Sequence, residues 1–148
     1  MADPRASVKF SEIGAHYATF KIDNSTITYS ASQPGGSAGV GLAVTLSADA
    51  TVALTAADDL VLGKLIRVQA DNFCTVQLAG AVTLPAGQSV SVTAGKRIAG
   101  ALGPSSAKGY IKEVANAVTP TATEVNNINK GRGLILDASD TTAVAVYL

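Results

Sequence analysis

The chain has 148 residues, of which 47% are hydrophobic and only 15% charged, with eleven basic and eleven acidic side chains that cancel. That length predicts one domain, and Leu, Ile, Val and Phe, about a quarter of the residues, suffice for a packed core. The composition argues against a membrane span, against an intrachain disulfide (Cys74 is the only cysteine) and against nucleic acid as the main partner, since phosphate binding needs clustered Lys and Arg.

The N-terminal stretch Met1 to Phe10 lacks the apolar run of a signal peptide, so synthesis in the cytosol is expected. Phe20 and Ile22 share one strand face, as do Ile27 and Tyr29, with Asp23-Asn24-Ser25 supplying turn chemistry between them. Gln33-Pro34-Gly35-Gly36-Ser37-Ala38-Gly39 then reads as a flexible linker, residues 33–39. It divides residues 1–32, an N-terminal arm or hairpin, from a β-domain over residues 40–148.

Beyond the linker, period-two alternation marks strands at Val44 and Leu46, and at Val52 and Leu54. In Leu60 to Ala70, Ile66, Val68 and Ala70 fall on one side, and Leu65, Arg67 and Gln69 on the other. Cys74, Val76 and Leu78 line the next strand, followed by Val82 and Leu84, Val90 and Val92, and Ile98 to Leu102. Tyr110 to Val118 and Leu134 to Leu136 continue the series. The last strand, Thr141 to Leu148, groups Val144, Val146 and Leu148. Thr121-Ala122-Thr123-Glu124 has the form of a helix capping box and predicts a short helix that Gly131 and Gly133 end, although three nearby Asn residues favour a loop. Strands about ten residues apart with Gly, Pro or Asp at the breaks predict an all-β fold: an antiparallel β-sandwich, jelly-roll-like, or a small barrel.

A shift of 38 positions lays Val44–Ala56 over Val82–Ala94 with seven of thirteen residues identical. Both stretches read as β-hairpins, with turns at Ser47–Ala50 and Pro85–Gln88. Leu136 to Val146, around Asp137-Ala138-Ser139-Asp140, reads as a third.

Residues able to carry chemistry are few. His16 is the only histidine, so any Ser-His-Asp or Cys-His arrangement has to use it, and it lies in Gly14-Ala15-His16-Tyr17 with no nucleophile elbow in the chain. Cys74, in register with Val76 and Leu78, reads as a small buried hydrophobe. Asp58-Asp59 is the only adjacent carboxylate pair, and neighbours on a strand point to opposite faces. Asp137 and Asp140 flank a turn without the dense ligand spacing of an EF-hand. Asn24-Ser25-Thr26 matches a glycosylation sequon that has no meaning without secretion. Gly131-Arg132-Gly133 beside Lys130 lacks the Gly-Lys-Ser/Thr ending of a P-loop, and Lys96-Arg97 is too short for a nucleic-acid patch. The expectation is a protein without catalytic residues, metal or cofactor.

Charge well below the ~25% of a typical soluble domain leaves much of the exterior to Ala, Gly, Ser, Thr and Val. Depletion of charge is the compositional mark of an interface core, which predicts a subunit that works assembled. Leu84-Pro85-Ala86-Gly87-Gln88-Ser89-Val90-Ser91-Val92 and the closing stretches Gly133–Asp137 and Thr142–Leu148 give residues 40–148 a style that resembles the capsid decoration (cement) proteins of tailed bacteriophages. The resemblance implies a β-rich homo-oligomer, dimer or trimer, that binds the major capsid protein on the outer surface of the virion and stabilises the shell. Two rivals stand beside it. One is a tail-fibre or adhesin-type module that binds a host-surface ligand through Tyr17, Tyr29, Tyr110, Tyr147 or the phenylalanines. The other is a small β-barrel hydrolase using Asp58, Asp137 or Asp140.

Overall fold

The structure, a computed structural model, describes residues 13–116, 118–119 and 121–148. Its first half is a closed five-stranded barrel. β1 (His16–Ile22) turns Ala18, Phe20 and Ile22 toward the barrel interior. It ends where the Asp23 carboxylate accepts hydrogen bonds from the Thr26 N–H and hydroxyl (2.9 and 2.8 Å) and from the Ile27 N–H (2.9 Å). The Thr26 Oγ1 in turn accepts from the Leu54 N–H at 2.8 Å, which ties this turn to the barrel wall. β2 (Ala43–Ala48) and β3 (Thr51–Leu54) form the first expected hairpin, with Val44 opposite Leu54 and Leu46 opposite Val52. β4 (Gly63–Val68) and β5 (Phe73–Ala79) form another, turning at Asn72. The wall closes in the order β1-β3-β2-β4-β5, with β5 antiparallel and β3 parallel to β1. Ile22, Ile27, Val44, Val52, Leu65, Val68, Cys74 and Val76 fill it.

The second half builds against the outside of this barrel. β6 (Ala81–Leu84), β9 (Leu134–Asp137) and β10 (Val144–Tyr147) form one sheet with β10 central, and β7 (Ile98–Ala101) pairs with β8 (Tyr110–Glu113). Bridges from Ala86 to Ile111 and from Ile98 to Arg132 join the two sheets. A second core of Val61, Val82, Leu84, Ile98, Ile111, Ile135, Val144 and Val146 lies between them. Ala43 belongs to this core, whereas its neighbour Val44 belongs to the barrel core, because successive strand residues face opposite ways. The β2 wall therefore separates two apolar interiors. α1 (Ala122–Asn129) carries the expected capping box, with the Thr121 side chain accepting from the Glu124 N–H and the Glu124 carboxylate from the Thr121 N–H.

The all-β expectation holds, and the hairpins at 43–54 and 134–147 form where the sequence places them. Four expectations change. Residues 13–32, the described part of the expected arm, are integral to the barrel: β1 is one of its staves and Ile27 is fully buried. The expected linker at 33–39 is anchored at Gly36, Ser37 and Gly39, while Gln33, Pro34, Gly35 and Ala38 are exposed. Ser37 is buried, and Gly36, at φ 88, lies so close to the Val68 carbonyl that a Cβ would sit 2.0 Å from its oxygen. Its glycines serve close approach and left-handed backbone as well as loop chemistry. The expected hairpin at Val82–Val92 does not form: β6 pairs with β10, and no strand covers Val90 and Val92. Finally, a bulge between Leu65 and Arg67 turns Leu65 and Val68 inward together and leaves Ile66 on the outside, and Tyr29 is exposed while Ile27 is buried.

Candidate functional site

The residues that the sequence singles out for chemistry are scattered over the fold. His16 is exposed at the start of β1, opposite Ala79. Cys74 is buried in the barrel, where burial pushes its thiol up to about 11 against a weaker opposing hydrogen bond with the Phe20 backbone. Asp58 pairs with Lys112 at 2.7 Å, and Asp59 accepts from the Ala56 N–H at 2.7 Å, so the two neighbours have separate structural partners. Asp137 and Asp140 each cap a turn. The Ser139 N–H holds the Asp137 carboxyl below the usual carboxylate range, and the Thr142 hydroxyl and N–H do the same for Asp140. Asn24-Ser25-Thr26 forms the Asp23 turn, with Asn24 in left-handed backbone. Among the described residues no three His, Cys, Asp or Glu side chains come together as a metal-binding group.

The basic cluster at Lys130–Gly133 and its neighbour Arg97 divide into two structural roles. Arg132 reaches into the seam between the two halves of the fold, where its guanidinium donates to the carbonyls of Val61, Leu62 and Leu78. Burial lowers its pKa. Arg97 donates to the carbonyls of Ile128 and Gly131 from an exposed position beside the C-terminal end of α1, where the Ile128 carbonyl also accepts from the Gly131 N–H. Lys64 spans the same seam as Arg132, donating to the Thr83 hydroxyl at 3.1 Å, and burial lowers its pKa as well. Arg132 and Lys64 are thus engaged inside the fold, whereas Arg97 stays at the surface.

Two surface features assemble residues that the sequence names only singly (Tyr17, Tyr147 and Asp58 among them) or not at all. The first is an apolar patch around Gly80 and Ala81. The Ile13 carbonyl accepts from the Ala81 N–H, Tyr147 lies between Ala81 and Leu134 in its sheet, and Tyr17 shares a groove with Ala81. Ile13, Tyr17, Leu134 and Tyr147 are 57, 50, 44 and 46% exposed, well beyond what a buried strand position shows. The second is a cleft of about 130 Å³ between β8 and α1, with Asp58, Lys112, Glu113 and Glu124 among its lining residues. The members of the patch lie far apart in the chain and meet through strand pairing, whereas all the residues lining the cleft except Asp58 and Ala99 fall within residues 112–128.

No protein-family model matches the chain, and no curated protein matches it. Any assignment therefore rests on these surfaces.

Proposed function

We propose that the protein is a structural subunit of a virion, binding the outer capsid lattice and bridging neighbouring major capsid subunits so as to stabilise the shell. The observation that carries this reading is the patch formed by Ile13, Tyr17, Leu134 and Tyr147, bulky apolar side chains held in solvent on a chain poor in charge. Exposed apolar patches mark association surfaces, and tyrosine is a preferred interface anchor. The patch rests on paired strands and their closely packed neighbours, so little backbone entropy would be lost on docking. A contact of standard size buries roughly 800 Å² per partner, and repetition over a lattice multiplies a modest affinity through avidity.

The test combines the mass of the protein in solution with its location in particles encoded by the same genome, by sedimentation and electron microscopy. A regular layer of this chain on the outer shell supports the reading. Loss of occupancy in a Leu134→Ser, Tyr147→Ser double variant that still folds would place the contact at the patch. Particles that lack the chain overturn the reading.

Exposed aromatics favour a second reading as a host-surface binding module. Tyr17, Tyr29, Tyr147 and Phe73 all present rings to solvent, as sugar stacking requires. Specific binding on a glycan array, abolished by Tyr17→Ala or Tyr147→Ala, separates it from the first.

A further inference from the structure

We propose that the groove between β6 and the outer wall of the barrel receives an acidic side chain of the protein that docks on the neighbouring apolar patch. The inference rests on the reading of that patch as a docking surface and adds the chemistry its partner must carry.

The groove holds about 230 Å³, too small for a drug-sized ligand. Ile66, Ala81 and Val82 give it apolar walls, and Lys64 is the one charged residue that lines it. The Lys64 ammonium has three donors and gives one to the Thr83 hydroxyl, a neutral acceptor, at 3.1 Å. Among the described residues it pairs with no carboxylate. Burial lowers its pKa, and no neighbouring anion offsets the loss of water. A partly desolvated cation without a counter-charge is costly to keep.

A second donor faces the same way. Gly80 and Leu148 exchange backbone hydrogen bonds at 3.3 and 3.0 Å. Alternation along the antiparallel ladder then makes Val82 and Leu84 the residues that bond to β10, and it turns the backbone groups of Ala81 and Thr83 away from β10. Ala81 shows where that edge points: its N–H reaches the Ile13 carbonyl, and its carbonyl accepts from Nε2 of Gln77, a residue of the groove wall. The outward Thr83 N–H finds no acceptor among the described residues.

An ammonium and a strand-edge N–H beside one groove suit a carboxylate, which offers each of them an oxygen. A phosphate group would bring close to two negative charges to a single cation, so the singly charged anion matches better. Tyr17 and Ala81 belong to both groove and patch, so a partner seated on Ile13, Leu134 and Tyr147 adjoins the groove. A partner with an acidic residue at the margin of its apolar contact meets this surface with complementary charge, and one with a basic residue there is repelled.

The test is a two-dimensional amide NMR titration of the full chain at constant ionic strength. The probes are propionate, the peptide acetyl-Gly-Glu-Gly-amide, its glutamine counterpart, and sulfate. Propionate and the glutamate peptide are expected to shift the amides of Lys64, Gln77 and Thr83, with little response to the glutamine peptide or to sulfate. Lys64→Met, which keeps the aliphatic stem, should weaken both carboxylates at least about tenfold. Thr83→Glu, at an exposed position on an edge strand, sets one of the chain's own carboxylates beside Lys64. It should abolish binding and serves if the first variant misfolds. Several results overturn the proposal: no response to either carboxylate, an equal response to the glutamine peptide or sulfate, or undiminished binding in the folded variants. Binding of propionate without the glutamate peptide removes a protein side chain as the occupant. The groove and the virion reading fail separately. Carboxylate binding by a chain that forms no layer on particles supports the groove and removes the virion reading, whereas a layer on particles without carboxylate binding does the reverse.

Discussion

Replacing Arg132 by Met keeps most of the side-chain volume and removes every donor that reaches the carbonyls of Val61, Leu62 and Leu78. These acceptors sit at the seam between the barrel and the outer sheets, and Arg132 is also the backbone partner of Ile98. A hydrogen bond to a charged group contributes roughly 1.5–3 kcal/mol, so one such bond for each donating guanidinium nitrogen gives about 3–6 kcal/mol of gross loss. Met escapes the desolvation that guanidinium burial costs, so the net destabilisation should be nearer ~2–4 kcal/mol. For a chain of this size, with roughly 3 °C per kcal/mol, the melting temperature should fall by about 6–12 °C. Urea unfolding and calorimetry measure both quantities. Arg97→Met, which loses only exposed bonds, is the control and should change stability by less than about 0.5 kcal/mol. If the Arg132 variant matched that control, the seam would not depend on its guanidinium and the division of the basic residues into two roles would be wrong.

Three further outcomes are expected. Gly63→Ala places a Cβ 2.1 Å from the Gln77 carbonyl oxygen between β4 and β5, so it should destabilise the fold by more than about 3 kcal/mol or prevent folding, read by circular dichroism and denaturant titration. Burial raises the Asp23 carboxyl, but hydrogen bonds from Thr26, Ile27 and Ser25 outweigh it and leave the folded pKa below the ordinary ~3.9. Its contribution is therefore present above about pH 4 and lost as pH falls through the folded value, so Asp23→Ala should flatten the acid limb of stability against pH, and an unchanged limb would exclude this role. Cys74, with its thiol pushed up to about 11, should resist a disulfide reagent at pH 8 in the native state and react promptly in urea; prompt native reaction would show the barrel opening locally.

Local pattern alone makes several elements legible. Val44, Leu46, Val52 and Leu54 alternate on either side of a short turn, and the β2–β3 hairpin follows. Leu136 to Val146 does the same around its two aspartates, and Thr121 with Glu124 caps α1. In each case the partners lie within about a dozen residues, so spacing and turn chemistry contain most of the information. Cys74 is legible as a core residue for the same reason: its face is shared with Val76.

Long-range pairing is not legible, because alternation says which face of a strand is buried and nothing about which strand lies beside it. Val82 to Val92 has the same pattern as the first hairpin, yet β6 takes β10 as its partner from some sixty residues away. Likewise β1 reads as detachable behind a glycine-rich stretch, whereas its edges meet β3 and β5. The apolar patch shares this origin. Chain order determined the strands, their turns and the scarcity of charge; only closure of the barrel and docking of the outer sheets decided which side chains met, since those contacts depend on strand edges that the local sequence does not specify.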